Sequence, residues 1–345
     1  MSSLQTLLSD VNGALDQTTV PSINDDTLNA PATMSFISDA VSSAIAMAAP
    51  VAPSPAPAGA PYSAIYAFGD SLTDTGNVSL ATAGLLPVSP PYADHSFSNG
   101  PVWVQDLAQD LGLPALQPSL AGGTDFAYGG AQTGPTPTHT VNPTDLTSQY
   151  AQFLAQVASP QPNALYTVWI GSNDVLDIAG DASLTPAQQQ TDVQAAVNNE
   201  AAVISGLAAR GATNLLVLNV PDLGNTPYEM ARGATAVQTA STLSSLYDQD
   251  LATALQPIAA AGPVKVNQVD MFSVLNQVEA NPAAYGFTDV TDPLWTGNFT
   301  SASSGTLQAT GAAQNGYLFM DGLHPTAHAD AVLAAGIAQG LTGAA

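Results

Sequence analysis

A short apolar run over residues 63–68 stops at Gly69 and passes directly into Asp70-Ser-Leu-Thr-Asp-Thr-Gly-Asn77. An apolar stretch of this length, closed by glycine and small polar residues, reads as a buried strand followed by a sharp turn. A second run, Ala164-Leu-Tyr-Thr-Val-Trp-Ile170, ends in the same way at Gly171-Ser-Asn-Asp174. In open α/β folds, turns at the carboxyl ends of strands are where ligands sit. Ser71 is therefore a candidate nucleophile. Asp, Ser and Thr are also good helix caps, so the first segment alone does not separate a reactive serine from a capping one.

The far end of the chain supplies what a hydroxyl nucleophile lacks. In Phe319-Met-Asp-Gly-Leu-His-Pro-Thr326, Asp321 and His324 lie three residues apart, close enough for one loop to present both. A serine needs a base to take its proton, and the base needs a carboxylate to orient it. The chain has 4 histidines, so few bases are available. Pro325 fits the first position of a helix, and Thr326 to Leu341 is Ala-rich and helix-compatible.

Two further segments lie between these ends. Thr124-Asp-Phe-Ala-Tyr-Gly-Gly-Ala131 brings a glycine pair where a backbone N–H can approach a ligand closely. Asn173, just past the second strand, carries an amide that can donate to a developing oxyanion. Each motif is weak alone, since Gly-Gly is usually a turn and Ser-Asn-Asp usually a helix start. Their order and context make them specific together.

Gly69-Asp70-Ser71-Leu72, the Gly129-Gly130 segment, Gly171-Ser172-Asn173-Asp174 and Asp321-Gly322-Leu323-His324-Pro325 together resemble the GDSL family of serine esterases and lipases, the SGNH hydrolases. Ser98-Asn99-Gly100 with Trp103, and Asn214 to Val220 leading into Pro221-Asp222, are similar to the branch of secreted plant and bacterial lipases. The resemblance covers about Tyr62 to Gly340. It implies a three-layer α/β/α sandwich with a parallel, flavodoxin-like sheet of about five strands. It further implies a catalytic triad of Ser71, His324 and Asp321, and an oxyanion hole formed by Ser71, Gly130 and Asn173, with Gly129 the alternative to Gly130. The implied activity is hydrolysis of carboxylic esters through an acyl-serine. A carbohydrate deacetylase, a phospholipase or acyltransferase, and a non-catalytic binding module on the same fold stay open. The α/β-hydrolase elbow G-x-S-x-G is excluded, because Thr73 stands where its last glycine should be.

The resemblance implies an ester or lipid small molecule as the partner, and composition bears on the other classes. Three basic residues against 27 acidic ones give a net charge of −24, which disfavours docking to nucleic-acid phosphate or anionic headgroups. No apolar run approaches the roughly 20 residues that span a bilayer. The absence of cysteine and the scarcity of tryptic sites suit a secreted chain. His324 and His328 are four apart, as in zinc pairs, but Pro325 interrupts the spacing, and no metal or cofactor is expected. The catalytic domain is read as residues 61–345. Residues 1–60 read as an extension or pro-segment, with a short helix over Ser3 to Leu15 and an Ala/Pro linker from Ala48 to Pro61. Ile37 to Val51 is apolar but has no preceding Lys or Arg, so it is a poor signal peptide. Two apolar loops are candidates for the substrate pocket: one carries Leu85, Leu86 and Tyr92, the other Phe287 and Trp295. Either loop could equally pack on the core.

Overall fold

The computed structural model describes residues 31–343 apart from 49, 50, 52, 94 and 162. The helix expected over Ser3 to Leu15 lies outside them. In chain order the main elements are α1 (Pro31–Met47), β1 (Ile65–Gly69), α2 (Asn77–Ala81), α3 (Trp103–Asp110), α4 (Leu146–Gln156), β2 (Leu165–Trp169) and α5 (Ser172–Gly180). They continue with α6 (Pro186–Ala209), β3 (Asn214–Leu218), α7 (Pro227–Arg232), α8 (Ala234–Ala260), β4 (Lys265–Val269), α9 (Met271–Ala280) and α10 (Ala327–Thr342).

The strands pair in parallel in the order β1-β2-β3-β4, with Ile65 opposite Leu165, Leu165 opposite Asn214 and Asn214 opposite Lys265. On the free edge of β1, Ala67 N–H donates to Thr124 O (3.0 Å) and Phe126 N–H donates to Ala67 O (2.8 Å). This single parallel bridge is all that remains of the fifth strand. Counted as the second strand in sequence, it gives the flavodoxin-like spatial order 2-1-3-4-5. The segment leaves the ladder because the Asp125 carboxylate is turned to Thr75 and to the N–H of Ala127.

Every residue of β1 and β2 is buried, as parallel strands covered on both faces must be. Side chains alternate between the faces. Tyr66, Phe68, Tyr166, Val168, Leu215 and Val217 meet Phe153 of α4, Val193 and Val197 of α6, and Tyr247 of α8. Ile65, Ala67, Leu165, Trp169, Leu216 and Leu218 meet α3 and α10 on the other side. These three layers put the ends of β1 and β2, and so Ser71 and Asn173, at one edge of the sheet. Within the stretch read as an extension, α1 buries Ile37 and Val41, one turn apart, with Val78, Leu86, Tyr92 and Phe97.

Candidate active site

The end of β1 is held from both sides. Gln149 of α4 accepts from Gly69 N–H (3.0 Å) and donates to Gly69 O (2.7 Å), so the strand cannot slide as it turns into Asp70-Ser71. Trp103 of α3 donates its indole N–H to Thr73 Oγ1 (3.2 Å), fixing the turn beyond the serine. The Asp74 carboxylate accepts from the N–H groups of Gly76, Asn77 and Val78, capping α2, and also from Gly129 N–H (2.9 Å). One buried side chain thus joins the serine segment to the glycine pair.

That bond also distinguishes the two glycines. The N–H of Gly129 is committed to Asp74, while Gly130 adopts φ +77°, a left-handed conformation that favours glycine. At the end of β2, Gly171 has φ +105°, and a Cβ there would lie 2.5 Å from the Tyr247 ring. Only glycine allows the chain to turn into α5 at that point. Asn173 then donates Nδ2–H to Ala131 O (2.9 Å), and Asp174 accepts from the N–H and hydroxyl of Thr133. The start of α5 is locked to the loop that follows Gly130.

His324 is presented by a tight turn, not by a helix. Met320 N–H donates to His324 O (2.7 Å), and Asp321 Oδ1 accepts from the N–H groups of Leu323 and His324 (2.8 Å each). Pro325 therefore precedes α10 instead of opening it. Thr326 is the N-cap, its hydroxyl accepting from Ala329 N–H, so the helix starts at Ala327. The Ser98-Asn99-Gly100 segment fastens this turn: Ser98 Oγ donates to Pro325 O (3.0 Å), and Asn99 Oδ1 accepts from Ala327 N–H (2.8 Å).

Ser71, His324 and Asp321 converge across this frame. His324 Nε2 lies 2.8 Å from Ser71 Oγ, and its Nδ1 lies 2.7 Å from Asp321 Oδ2. Ser71 and His324 are 5% and 4% exposed, so the contact is shielded from water without being sealed. Burial alone would raise the Asp321 carboxyl, but facing His324, with the donated N–H of His324 and O–H of Tyr92, holds it below the ordinary Asp value. An ionised carboxylate only accepts, so the histidine proton sits on Nδ1 and the lone pair of Nε2 faces the serine. Burial pushes neighbouring carboxyls the other way, Asp70 up to about 7 and Asp74 to about 6.

Residues 65–337 match the family of GDSL-like lipases and acylhydrolases. The chain belongs to this GDSL family. A phosphatidylcholine-sterol acyltransferase of Aeromonas hydrophila is 32% identical over 236 residues, 68% of this GDSL chain and 66% of that protein. An acetylesterase of Thermothelomyces thermophilus is 29% identical over 241 residues, 66% of this chain and 76% of the other. The aryl esterase structure from M. smegmatis overlays with a TM-score of 0.41 at 16% identity, over 81% of this chain and 98% of its own.

The two candidate pocket loops of this GDSL protein divide. Phe287 lines a cavity of about 700 Å³ that also contains Ser71, Asn173 and His324. Trp295 lines a second cavity of about 450 Å³ on the Asp321–His324 turn, with Tyr228, Met230 and Phe299. Leu85, Leu86 and Tyr92 line neither. Leu85 is exposed, and Leu86 packs beneath α1 with Ile37 and Val41. Tyr92 is 1% exposed and donates its hydroxyl to Asp321 Oδ2 at 2.5 Å. Its ring is drawn to the Asp321 carboxylate by that bond, where the sequence reading expects a pocket residue. No sequence signal pairs positions 92 and 321. Phe97, whose ring lies 5.4 Å from that of His324, was equally unmarked in the sequence. His328 turns to Tyr285 O (3.2 Å), away from His324. Among the described residues no helix is long and apolar enough to cross a membrane.

Proposed function

We propose that the protein is a secreted serine hydrolase of carboxylic esters, acting through an acyl-serine. The observation that carries this reading is the continuous relay from Ser71 Oγ through His324 to an ionised Asp321, opening on an apolar cavity. Ser71 Oγ attacks the ester carbonyl as His324 Nε2 takes its proton. Asp321 steadies the imidazolium that forms. The N–H groups of Ser71 and Gly130, with the Asn173 amide, receive the oxyanion, aided by the N-terminus of α5. His324 returns the proton to the leaving alcohol, and water then cleaves the acyl-serine by the same steps reversed.

Transfer of the acyl group to an alcohol is the second reading. It is favoured by the second cavity beside His324, where an acceptor could lie, and by the name of the Aeromonas relative. Secretion is supported by the three basic residues and the lack of cysteine. Ser71→Ala should abolish turnover of p-nitrophenyl butyrate with an unchanged melting curve. An organophosphonate should label the parent chain at Ser71. Retained turnover in Ser71→Ala, or labelling at another serine, refutes the assignment.

A further inference from the structure

The cavity beside Ser71 does not end at the reacting atoms. It continues between α9 and α10 over β3 and β4, from Ser71, Asn173 and His324 at one end to Gly340 and Leu341 at the other. Val274 and Val278 of α9 form one wall and Leu216 of β3 the floor; Leu333, Gly336 and Gly340 of α10 form the other wall. The groove is open to solvent, since Gly336 and Gly340 are exposed, and an apolar groove of about 700 Å³ on a surface calls for an occupant. Gly336 and Gly340 help to make it. They stand one turn apart on the same face of α10, and a Cβ added to either meets nothing within 4 Å. Glycine weakens a helix interior and is usually kept where another element packs closely against it. Here no atom approaches, and the two glycines leave the groove open.

We propose that this interhelical groove binds the acyl chain of the substrate, and that the enzyme selects long, linear acyl groups. The inference rests on the esterase reading above and adds the substrate class. Continuity with Ser71 decides the occupant, because the groove begins where the acyl carbon must sit. From Ala329 to Leu341 the α10 wall runs about 18 Å at 1.5 Å per residue. An extended chain with bonds of about 1.5 Å advances about 1.25 Å per carbon, so the groove matches roughly 14 carbons. A branched or carbohydrate acyl donor would not use this length.

The test is kcat/KM on monomeric p-nitrophenyl esters from butyrate to hexadecanoate, for the parent chain, Gly336→Leu and Gly340→Leu. In the parent, each added methylene should raise kcat/KM by up to about fourfold until the groove is full. Gly336 lies about 10 Å along α10 from Ala329 and Gly340 about 16 Å. The profile should therefore level off at a shorter chain in Gly336→Leu than in Gly340→Leu. The hexadecanoate-to-butyrate ratio should fall at least tenfold in Gly336→Leu. A flat parent profile overturns the groove assignment. So does an unchanged ratio in both variants, or a fall by one common factor across all esters. None of these results touches the esterase reading, which fails only if Ser71→Ala still turns over butyrate.

Discussion

Tyr92→Phe isolates one hydrogen bond to the Asp321 carboxylate. Phenylalanine keeps the ring in its cluster with Leu86, Phe97 and Ile37, and removes only the hydroxyl that donates to Asp321 Oδ2 at 2.5 Å. A hydrogen bond to a buried charge contributes about 1.5–3 kcal/mol. At roughly 2 °C per kcal/mol for a chain of this size, the variant should melt about 3–6 °C lower at pH 7. The deficit should shrink at low pH. Asp321 is held below its ordinary value in the fold, so the stability it contributes is present above the unfolded pKa and is lost as pH falls through the folded one. If the whole bond energy were expressed in the barrier, kcat would fall by about 10–100-fold. That stays well short of the roughly 10⁴-fold expected when the carboxylate itself is removed. Burial and Asp321 hold the Tyr92 phenol well above its usual range, so it remains a donor throughout the accessible pH range. Steady-state kinetics on p-nitrophenyl butyrate at pH 7, with melting curves at pH 7 and at low pH, measure both effects. A variant with parental kcat and melting temperature would show that Tyr92 does not position Asp321.

Asn173→Ala should lower kcat by about 10²–10³-fold with little change in KM, because the amide acts on charge present only in the transition state; a change confined to KM would reduce it to a ground-state contact. Asp321→Asn should cost about 10⁴-fold in kcat by losing both tautomer and charge, and activity within tenfold of the parent would remove His324 from the role of base. The buried carboxyls set an opposite pH trend in stability. Burial raises Asp70 and Asp174 to about 7, and Glu200 and Asp248 to about 8. Between about pH 4 and 8 the folded chain therefore holds protons that the unfolded chain releases, and stability falls as pH rises. The melting temperature should peak near pH 5 and decline towards pH 8, while activity declines on the acid side; a melting temperature that climbs from pH 5 to 8 would contradict this.

Local patterns in the sequence were enough for β1, β2 and the turns that end them, whereas β4, with Lys265, Asn267 and Gln268 among its five residues, carries no apolar run. Buried parallel strands need unbroken apolar runs, the turns need glycine and short polar residues, and Asp321 and His324 share one loop because three residues separate them. The stopping points of elements followed local chemistry less visible in the pattern, as where the Thr326 hydroxyl, and not Pro325, caps α10. Bonds between residues far apart in the chain were decided only by tertiary structure. The commitment of Gly129 N–H to Asp74 depends on two loops meeting across 55 positions. Tyr92 reaches Asp321 across 229 positions, and its apolar neighbours in the sequence suggested a pocket residue. The acyl groove is the extreme case. It is a space between two helices, made by glycines whose sequence context resembles any Ala-rich helix. A pattern of residues records what packs, whereas an unfilled space exists only once the surrounding elements have been placed.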